Sequence, residues 1–379
     1  MAGNTTLTEA KNNKFDEFYT RYTDIEEEMN AYYEYNHDVF RGKTILLPCD
    51  DPEWSNFTKY FASNFSRFGL KKLISTSYAK SAGSEQLSLF EKNSPFYNVK
   101  KHKTHGKLFT LTHDTDNSGQ IDTDDIEFRG YLKGDGDFRS EEVKKLRDEA
   151  DLIITNPPFS LFREFVAWVF EAHKDFIILG TFNNVAYKEV FPLIKSNKMW
   201  LGYRKLNRDM YFSVTDAYKQ HLVKEKKESS AYKIIDDTVM GRLANACWYT
   251  DLDNGRLHES MQLDTEANNL KFNKKLKRVL KKKFNTDTYP KYDNYDAIEI
   301  PYVDSIPSDY SGVMGVPVSF LGKYNPQQFS IEGMAAGNTR LNKFNYKVPY
   351  SPMKIDRGGC GVVNGVRVYS RLLIRKREQ

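Results

Sequence analysis

The four residues Asn156-Pro157-Pro158-Phe159 follow the apolar run Asp151-Leu-Ile-Ile-Thr155 and carry the most pointed chemistry in this chain. Together they suit the transfer of a methyl group to a planar, conjugated amine. The amino nitrogen of adenine is a weak nucleophile because its lone pair is delocalised into the ring. Two fixed acceptors facing its hydrogens would draw it toward a tetrahedral shape and free that pair. The side-chain oxygen of Asn156 can be one acceptor and the backbone carbonyl of Pro157 the other. Successive prolines restrict the backbone that carries this carbonyl, and Phe159 offers a flat apolar face for a base. Such acceptors speed a reaction only when aimed at charge that develops in the transition state. A plain turn would use the same residue types. The setting favours a site: Ala150–Thr155 reads as a buried strand and Ser160–Phe170 has helical periodicity. That places the motif at the carboxyl end of a strand, where open α/β sheets hold their ligands.

Methyl transfer of this kind calls for S-adenosylmethionine, whose sulfonium makes the methyl electrophilic, and requires no metal. The protein then supplies alignment and electrostatics: carboxylates for the cofactor's amine and ribose, and an apolar slot for its adenine. The segment Leu47–Phe57 after the first strand is one candidate, with Pro48 and the carboxylates Asp50 and Asp51. The segment Gly134–Arg139 is a second, where Asp137 could bond an adenine amine and Phe138 pack on its ring. Either alone reads as an acidic surface loop. Their joint placement ahead of Asn156 makes them cofactor candidates.

The elements that must position these residues follow from the apolar pattern. Gly42–Leu47, Leu73–Tyr78, Asp151–Thr155 and Asp175–Leu179 read as strands, and Phe57–Phe65 and the segment from Ser160 as helices. Strands alternating with helices indicate an α/β fold with a largely parallel sheet covered on both faces. Residues 81–125 are polar and read as an excursion from this core. After about Gly202 the alternation weakens and turns multiply, which predicts a catalytic domain over 1–202 and a second region over 203–379, with some of its strands completing the catalytic sheet. Asp114–Asp125 follows the spacing of a calcium loop, but Leu108–Thr112 before it resembles a strand where that motif needs a helix. A solvated acidic hairpin turn is the better reading.

A chain of 379 residues has room for two domains, and its 40% hydrophobic and 14% aromatic content suits a folded protein rather than a disordered one. No apolar run is long enough to cross a bilayer and no secretory signal opens the sequence. Cys49, Cys247 and Cys360 lie far apart without a CxxC pair; they suit a reducing cytosol and argue against a zinc site. A cytoplasmic location without membrane contact is expected. The net charge of +5 is uneven: residues 1–200 carry 26 Lys and Arg against 31 Asp and Glu, and residues 201–379 carry 30 against 20. A basic second half suggests a polyanion as partner. Leu270–Phe284 concentrates that charge. Phe272, Leu276, Leu280 and Phe284 recur at helical spacing as an apolar face. Lys274, Lys275, Arg278, Lys281, Lys282 and Lys283 are left for phosphates, although a solvated lysine-rich helix would look the same. Arg204, Lys205, Asn207, Arg208 and the Asn-rich stretches after 325 are candidates for contact with bases.

At this point the chain resembles a known family, the EcoRI-type adenine-N6 DNA methyltransferases. The likeness runs through Phe15-Asp-Glu-Phe-Tyr-Thr20, Cys49-Asp-Asp-Pro52, Ser55-Asn-Phe57, Lys59-Tyr-Phe-Ala62 and Gly69-Leu-Lys-Lys-Leu-Ile74. It continues through Gly134-Asp-Gly-Asp-Phe-Arg-Ser140, Asn156-Pro-Pro-Phe-Ser-Leu-Phe-Arg-Glu164, Tyr187-Lys-Glu-Val190, Trp200-Leu-Gly202, Tyr289–Ile298 and Gly312-Val-Met-Gly-Val-Pro317. The resemblance implies a Rossmann-like S-adenosylmethionine-dependent domain with a C-terminal target-recognition region. It also implies cofactor contacts from Tyr19, Thr20, Asp50, Asp137 and Phe138, and a flipped adenine held by Asn156–Phe159. The expected substrate is double-stranded DNA at a short palindrome such as GAATTC. A cognate restriction endonuclease would share that site without direct contact. Two departures from general methyltransferase patterns stand out. The loop after the first strand lacks the FxGxG glycines, and the second strand ends in Ser75-Thr-Ser77 without an acid for the ribose. Two other readings of the residues remain: the same chemistry on RNA or on a protein glutamine, and a DNA-binding protein without catalysis.

Overall fold

The computed structural model describes residues 18–49, 51–79, 94–206, 208–337 and 348–377. The chain forms two compact units, Met1–Phe182 with Gly202–Asn254, and Asn183–Leu201 with Gly255–Gln379. The division is discontinuous, whereas the sequence suggests a single change near 202.

The first unit begins with a short strand, β1 (Phe18–Thr20), and helix α1 (Tyr22–Tyr35). Four strands then make the parallel centre of a sheet: β2 (Thr44–Leu47), β3 (Lys72–Thr76), and, after β4 (Lys107–Leu111) and β5 (Glu127–Tyr131), β6 (Leu152–Thr155) and β7 (Asp175–Thr181). β2 pairs in parallel with β3 on one side and with β6 on the other, and β6 pairs in parallel with β7. β4 and β5 extend the β3 edge in antiparallel fashion, and the strand Ala246–Thr250 does the same beside β7. Every residue of β2 and β6 is buried, as expected of central strands with both faces covered. The chain leaves β2 through helix α2 (Asn56–Ser63) to reach β3, then returns to the opposite side of β2 to form β6. The winding therefore reverses between β2 and β6, and the loops after these two strands flank the reversal.

Two local outcomes differ from the sequence reading, and β1 joins a sheet that it did not describe. Part of the supposed excursion is sheet, because β4 falls inside it and pairs with β3. The helix expected from Ser160 begins with a tight turn, Phe159–Leu161, and runs as α-helix over Phe162–Glu171. β1 belongs to a second, all-antiparallel sheet with Met210–Val214, Thr238–Leu243 and Tyr232–Ile235.

The acidic segment 114–125 connects two strands, so the helix that a calcium loop needs before it is replaced by β4. Asp114 accepts from the amides of Ser118 and Gly119, and Asp125 from those of Thr115 and Asp122. Those hydrogen bonds hold both carboxyls below their ordinary range. Asp114, Asp116 and Asp125 bring carboxylate oxygens within 4.8 Å of one another.

The second unit carries a four-stranded sheet in which Met314–Pro317 and Phe329–Ala335 flank Arg371–Lys376, with Ile298–Glu299 at one edge. Glu299 is fully buried and paired with Arg371 at 2.5 Å, and it also accepts from the Tyr292 hydroxyl. Among the described residues no helix is long and apolar enough to cross a membrane.

Candidate active site

The loops after β2 and β6 meet at the reversal of the winding. Thr155, the last residue of β6, donates its hydroxyl to the carbonyl of Pro48, the first residue beyond β2. Both are backbone-defined positions on adjacent strands, so the bond fixes the height of one loop against the other. Cys49, next in line, takes φ 76°, a left-handed conformation that an L-residue adopts at a cost. Asp50 lies outside the described residues.

Asn156 is held from the side by β1. Its amide nitrogen donates to the Phe18 carbonyl at 2.6 Å. A carbonyl oxygen can only accept, so this bond decides which way the carboxamide points. The side-chain oxygen is then left buried, with no hydrogen-bond partner among the described residues. A buried acceptor without a partner costs about 1–3 kcal/mol. That expense is what a ligand donor would offset. Pro157 is buried and Pro158 half-buried. Phe159 is also half-buried and meets Phe18 edge-on, with ring centroids 6.0 Å apart. β1 is itself tied to the start of α2, where Asn56 donates to the Thr20 carbonyl at 2.8 Å. Ser55 caps that helix through the amides of Phe57 and Thr58.

Thr20 and Thr76 each bury a hydroxyl with no hydrogen-bond partner among the described residues. They lie at the ends of β1 and β3 and are unused polar groups of the kind a polar cofactor would satisfy. Tyr19, between Phe18 and Thr20, is half-buried.

The Gly134–Arg139 loop packs beneath the end of β3. Gly136 has φ +84°, and a Cβ there would sit 2.0 Å from the Ser77 carbonyl oxygen, so no side chain fits. Asp137 is engaged by Arg139, at 2.9 Å and 2.6 Å to its two oxygens, which holds its carboxyl below the ordinary range. Arg139 reaches on to Glu164 at 2.7 Å. Phe138 is buried, edge-on to Phe165 and Trp168. Its ring therefore docks this loop onto the helix that follows Phe159.

The candidate DNA-contacting residues divide. Arg204 is buried, its guanidinium paired with Asp24 and donating to the Asp209 carbonyl at 3.0 Å. It serves the fold and presents no charge to a partner. Arg208 is exposed and pairs with Glu27, and Asn207 lies outside the described residues. In the second unit the lysine-rich segment is two helices. Glu266–Phe272 ends at Asn273, whose side chain caps the next helix, Lys274–Val279, and a wider turn covers Leu280–Phe284. Leu276, Leu280 and Phe284 are buried as expected, but the break at Asn273 leaves Phe272 64% exposed. Lys274, Lys275, Arg278, Lys281, Lys282 and Lys283 all face solvent. Lys275, Arg278, Lys282 and Lys283 line a groove of 530 Å³ with Val279 and Tyr302.

Three residues escape sequence reasoning. The Phe18 carbonyl and Asn56 act through backbone contacts that no composition reveals, and Lys107, described below, is a lone lysine in a polar stretch.

A mixed α/β unit with an amide acceptor at the reversal of its winding has that acceptor where open α/β sheets hold ligands, and comparison with known proteins makes this specific. Residues 6–377 match the family model described as adenine-specific methyltransferase EcoRI, and the chain belongs to that family. It is 39% identical to the type II methyltransferase M.EcoRI of Escherichia coli, over 92% of this chain and 95% of that protein. It is 32% identical to M.MgeORF184P of Mycoplasma genitalium over 97% and 98%, and 31% identical to M.MpnI of Mycoplasma pneumoniae over 97% and 97%. No solved structure matches. The chain is a DNA methyltransferase specific for adenine, and S-adenosylmethionine is its methyl donor.

Proposed function

We propose that this enzyme methylates N6 of an adenine rotated out of duplex DNA, at a short site of the GAATTC kind, with the first unit as a Rossmann-like catalytic domain and the second as the main target-recognition region. The observation that carries the reading is the orphaned Asn156 oxygen, buried and oriented by a bond that only its nitrogen can make. Stacked bases hide the amino group, so the nucleotide must leave the helix to reach it.

S-adenosylmethionine would supply an electrophilic methyl, whose bond to sulfur breaks as the bond to nitrogen forms, leaving S-adenosylhomocysteine. The protein supplies the rest. Asn156 Oδ1 and the Pro157 carbonyl accept the two amino hydrogens and keep the nitrogen lone pair out of conjugation. As the new N–C bond forms, positive charge grows on nitrogen and the same two dipoles stabilise it. The extra proton then leaves to water. Phe159 stacks on the base. Tyr19, Thr20, Pro48, Asp50 and Asp137 line the cofactor side, with Phe138 bracing the loop that carries Asp137. Lys274, Lys275, Arg278, Lys281, Lys282 and Lys283 grip phosphates, and Arg208 contacts base edges. A cognate endonuclease, where one accompanies this enzyme, meets it only through the shared DNA site.

Duplex DNA incubated with radiolabelled S-adenosylmethionine tests this. Label should be recovered as N6-methyladenine. Label recovered on cytosine, on RNA or on protein would overturn the substrate assignment. Methylation-sensitive sequencing of DNA exposed to the enzyme reads out the target.

A further inference from the structure

The end of β3 offers only hydroxyls to a cofactor. Ser75 is bonded to Thr58 at 2.8 Å, Ser77 accepts from the Lys107 amide at 2.8 Å, and Thr76 is unpartnered among the described residues. Ribose hydroxyls and an ammonium are donors and need a strong acceptor, and no carboxylate stands on this strand. One does stand beside it. Lys107, at the start of β4, carries a largely buried ammonium that contacts Asp51 at 3.4 Å and Glu53 more closely. Glu53 is further held by the Ser94 hydroxyl. Asp51 accepts from the Glu53 amide at 3.0 Å and has no other side-chain partner than Lys107 among the described residues. Two carboxylates and one ammonium leave one net negative charge at the carboxyl end of β2.

The backbone of Lys107 joins the same assembly. Its carbonyl accepts from Ser77, and the neighbouring Gly106 amide donates to the Gly134 carbonyl at 3.0 Å. Lys107 and its neighbour Gly106 thus connect the loop after β2, the end of β3 and the Gly134–Arg139 loop. Burial pushes the Asp51 carboxyl above its ordinary range, and Lys107 opposes that push. For Lys107 itself burial works against the charge, but the two carboxylates outweigh it and raise its pKa. Without the ammonium, Asp51 would take up a proton and stop being a clean acceptor.

We propose that Lys107 is a positioning residue for the methyl donor, gathering Asp51 and Glu53 so that Asp51 presents to the cofactor the carboxylate acceptor that the end of β3 lacks. This rests on the loop after β2 being the cofactor side. It goes beyond that reading by giving the loop its acid and that acid its counter-charge.

Equilibrium dialysis with radiolabelled S-adenosylmethionine and with S-adenosylhomocysteine, which shares the ammonium and ribose, is the direct test. Lys107→Met keeps the side-chain length and removes the charge. Its Kd for both ligands should rise at least tenfold. The KM for S-adenosylmethionine should rise in step, kcat at saturation should stay within about threefold, and duplex affinity should be unchanged. Lys107→Arg should recover most of the loss. Asp51→Asn, which leaves the Lys107–Glu53 pair in place, should reproduce the Kd effect and serves where Lys107→Met does not fold. Binding within twofold of the parent in Asp51→Asn, or in a folded Lys107→Met, overturns the proposal. The wider reading is judged separately: it falls if Asn156→Ala methylates adenine at a rate near the parent's, whatever the Lys107 variants do.

Discussion

Asn156 in the first unit and Lys282 in the second show two opposite treatments of a polar side chain. Asn156 is fixed by one bond to the Phe18 carbonyl, and its remaining oxygen is buried and unsatisfied. Lys282 is exposed, and none of its neighbours Lys281, Arg278 or Lys275 has an acidic partner among the described residues. The first arrangement concentrates an energetic cost on a single atom, which makes position matter to fractions of an ångström. The second spreads charge over several flexible stems, where no single position matters and the sum sets affinity. The difference separates a group that acts on a transition state from groups that hold a polymer. It predicts that substitutions in the two regions fail in different ways.

The largest effect should come from Asn156→Ala. Removing one preorganised dipole of this kind lowers turnover by about 10²–10³-fold. Duplex affinity should stay within about threefold, because no phosphate contact is touched. Single-turnover methylation beside a gel-shift titration measures both. A parallel loss of binding and turnover would dissolve the contrast, since Asn156 would then be holding the duplex as well.

The next test asks whether the lysine surface stands on a real core. Leu280 is 1% exposed beneath it, so Leu280→Ala should cost about 2–5 kcal/mol of stability. Phe272→Ala, at a ring 64% exposed, should stay within about 0.5 kcal/mol. Urea denaturation of both variants checks this. The pair also marks where pattern reading stops. Apolar spacing placed all four residues from Phe272 to Phe284 on one face, and three are there. The fourth is turned out because Asn273 caps a new helix through the Leu276 amide, and one cap outweighs the periodicity of a single residue.

The same limit runs through the rest of the molecule. β2, β6, β7 and the placement of Asn156–Phe159 were legible because buried parallel strands are continuous apolar runs and the motif breaks one of them. The likeness to EcoRI-type enzymes was legible from blocks spread along the chain, and the family match bears it out. The antiparallel pairing of β4 with β3 was hidden, because Lys107–Leu111 sits in a polar stretch and strand partners are not written in local pattern. Arg204 lay in a segment rich in basic residues and read as a DNA contact. Its partner Asp24 is far away in sequence, and only the fold brings the pair together.

Charge rather than shape should govern the lysine surface. Changing Lys281, Lys282 and Lys283 together to Ala removes up to three phosphate contacts. The slope of log K against log salt should then flatten by up to about 2.7, at about 0.9 per contact. Affinity at 50 mM salt falls, while turnover of bound duplex stays near the parent value. Fluorescence anisotropy across a salt series measures the slope. An unchanged slope would remove this helix from the interface and leave the basic second half without a defined role.

The smallest effect probes the cost of burying charge in the catalytic sheet. Asp251, just beyond the strand Ala246–Thr250, accepts from the Phe176 amide at 2.9 Å, and burial pushes its carboxyl up to about 7 from an ordinary 3.8. A carboxyl whose folded pKa is raised binds its proton more tightly folded than unfolded, so stability falls as pH rises between about 4 and 7 and stays lower above. Asp251→Asn keeps the acceptor and removes the charge. It should raise Tm at pH 8 and leave it nearly unchanged at pH 4. At about 1.4 kcal/mol per unit the gain is at most about 4 kcal/mol, and partial contact with solvent brings it nearer 1. Lys282→Gln, at an exposed cation, should shift Tm by no more than a degree at either pH. A Tm for Asp251→Asn that does not depend on pH would mean the first unit tolerates buried charge as easily as the lysine helix tolerates exposed charge. The orphaned oxygen of Asn156 would then no longer signal a site waiting for a ligand.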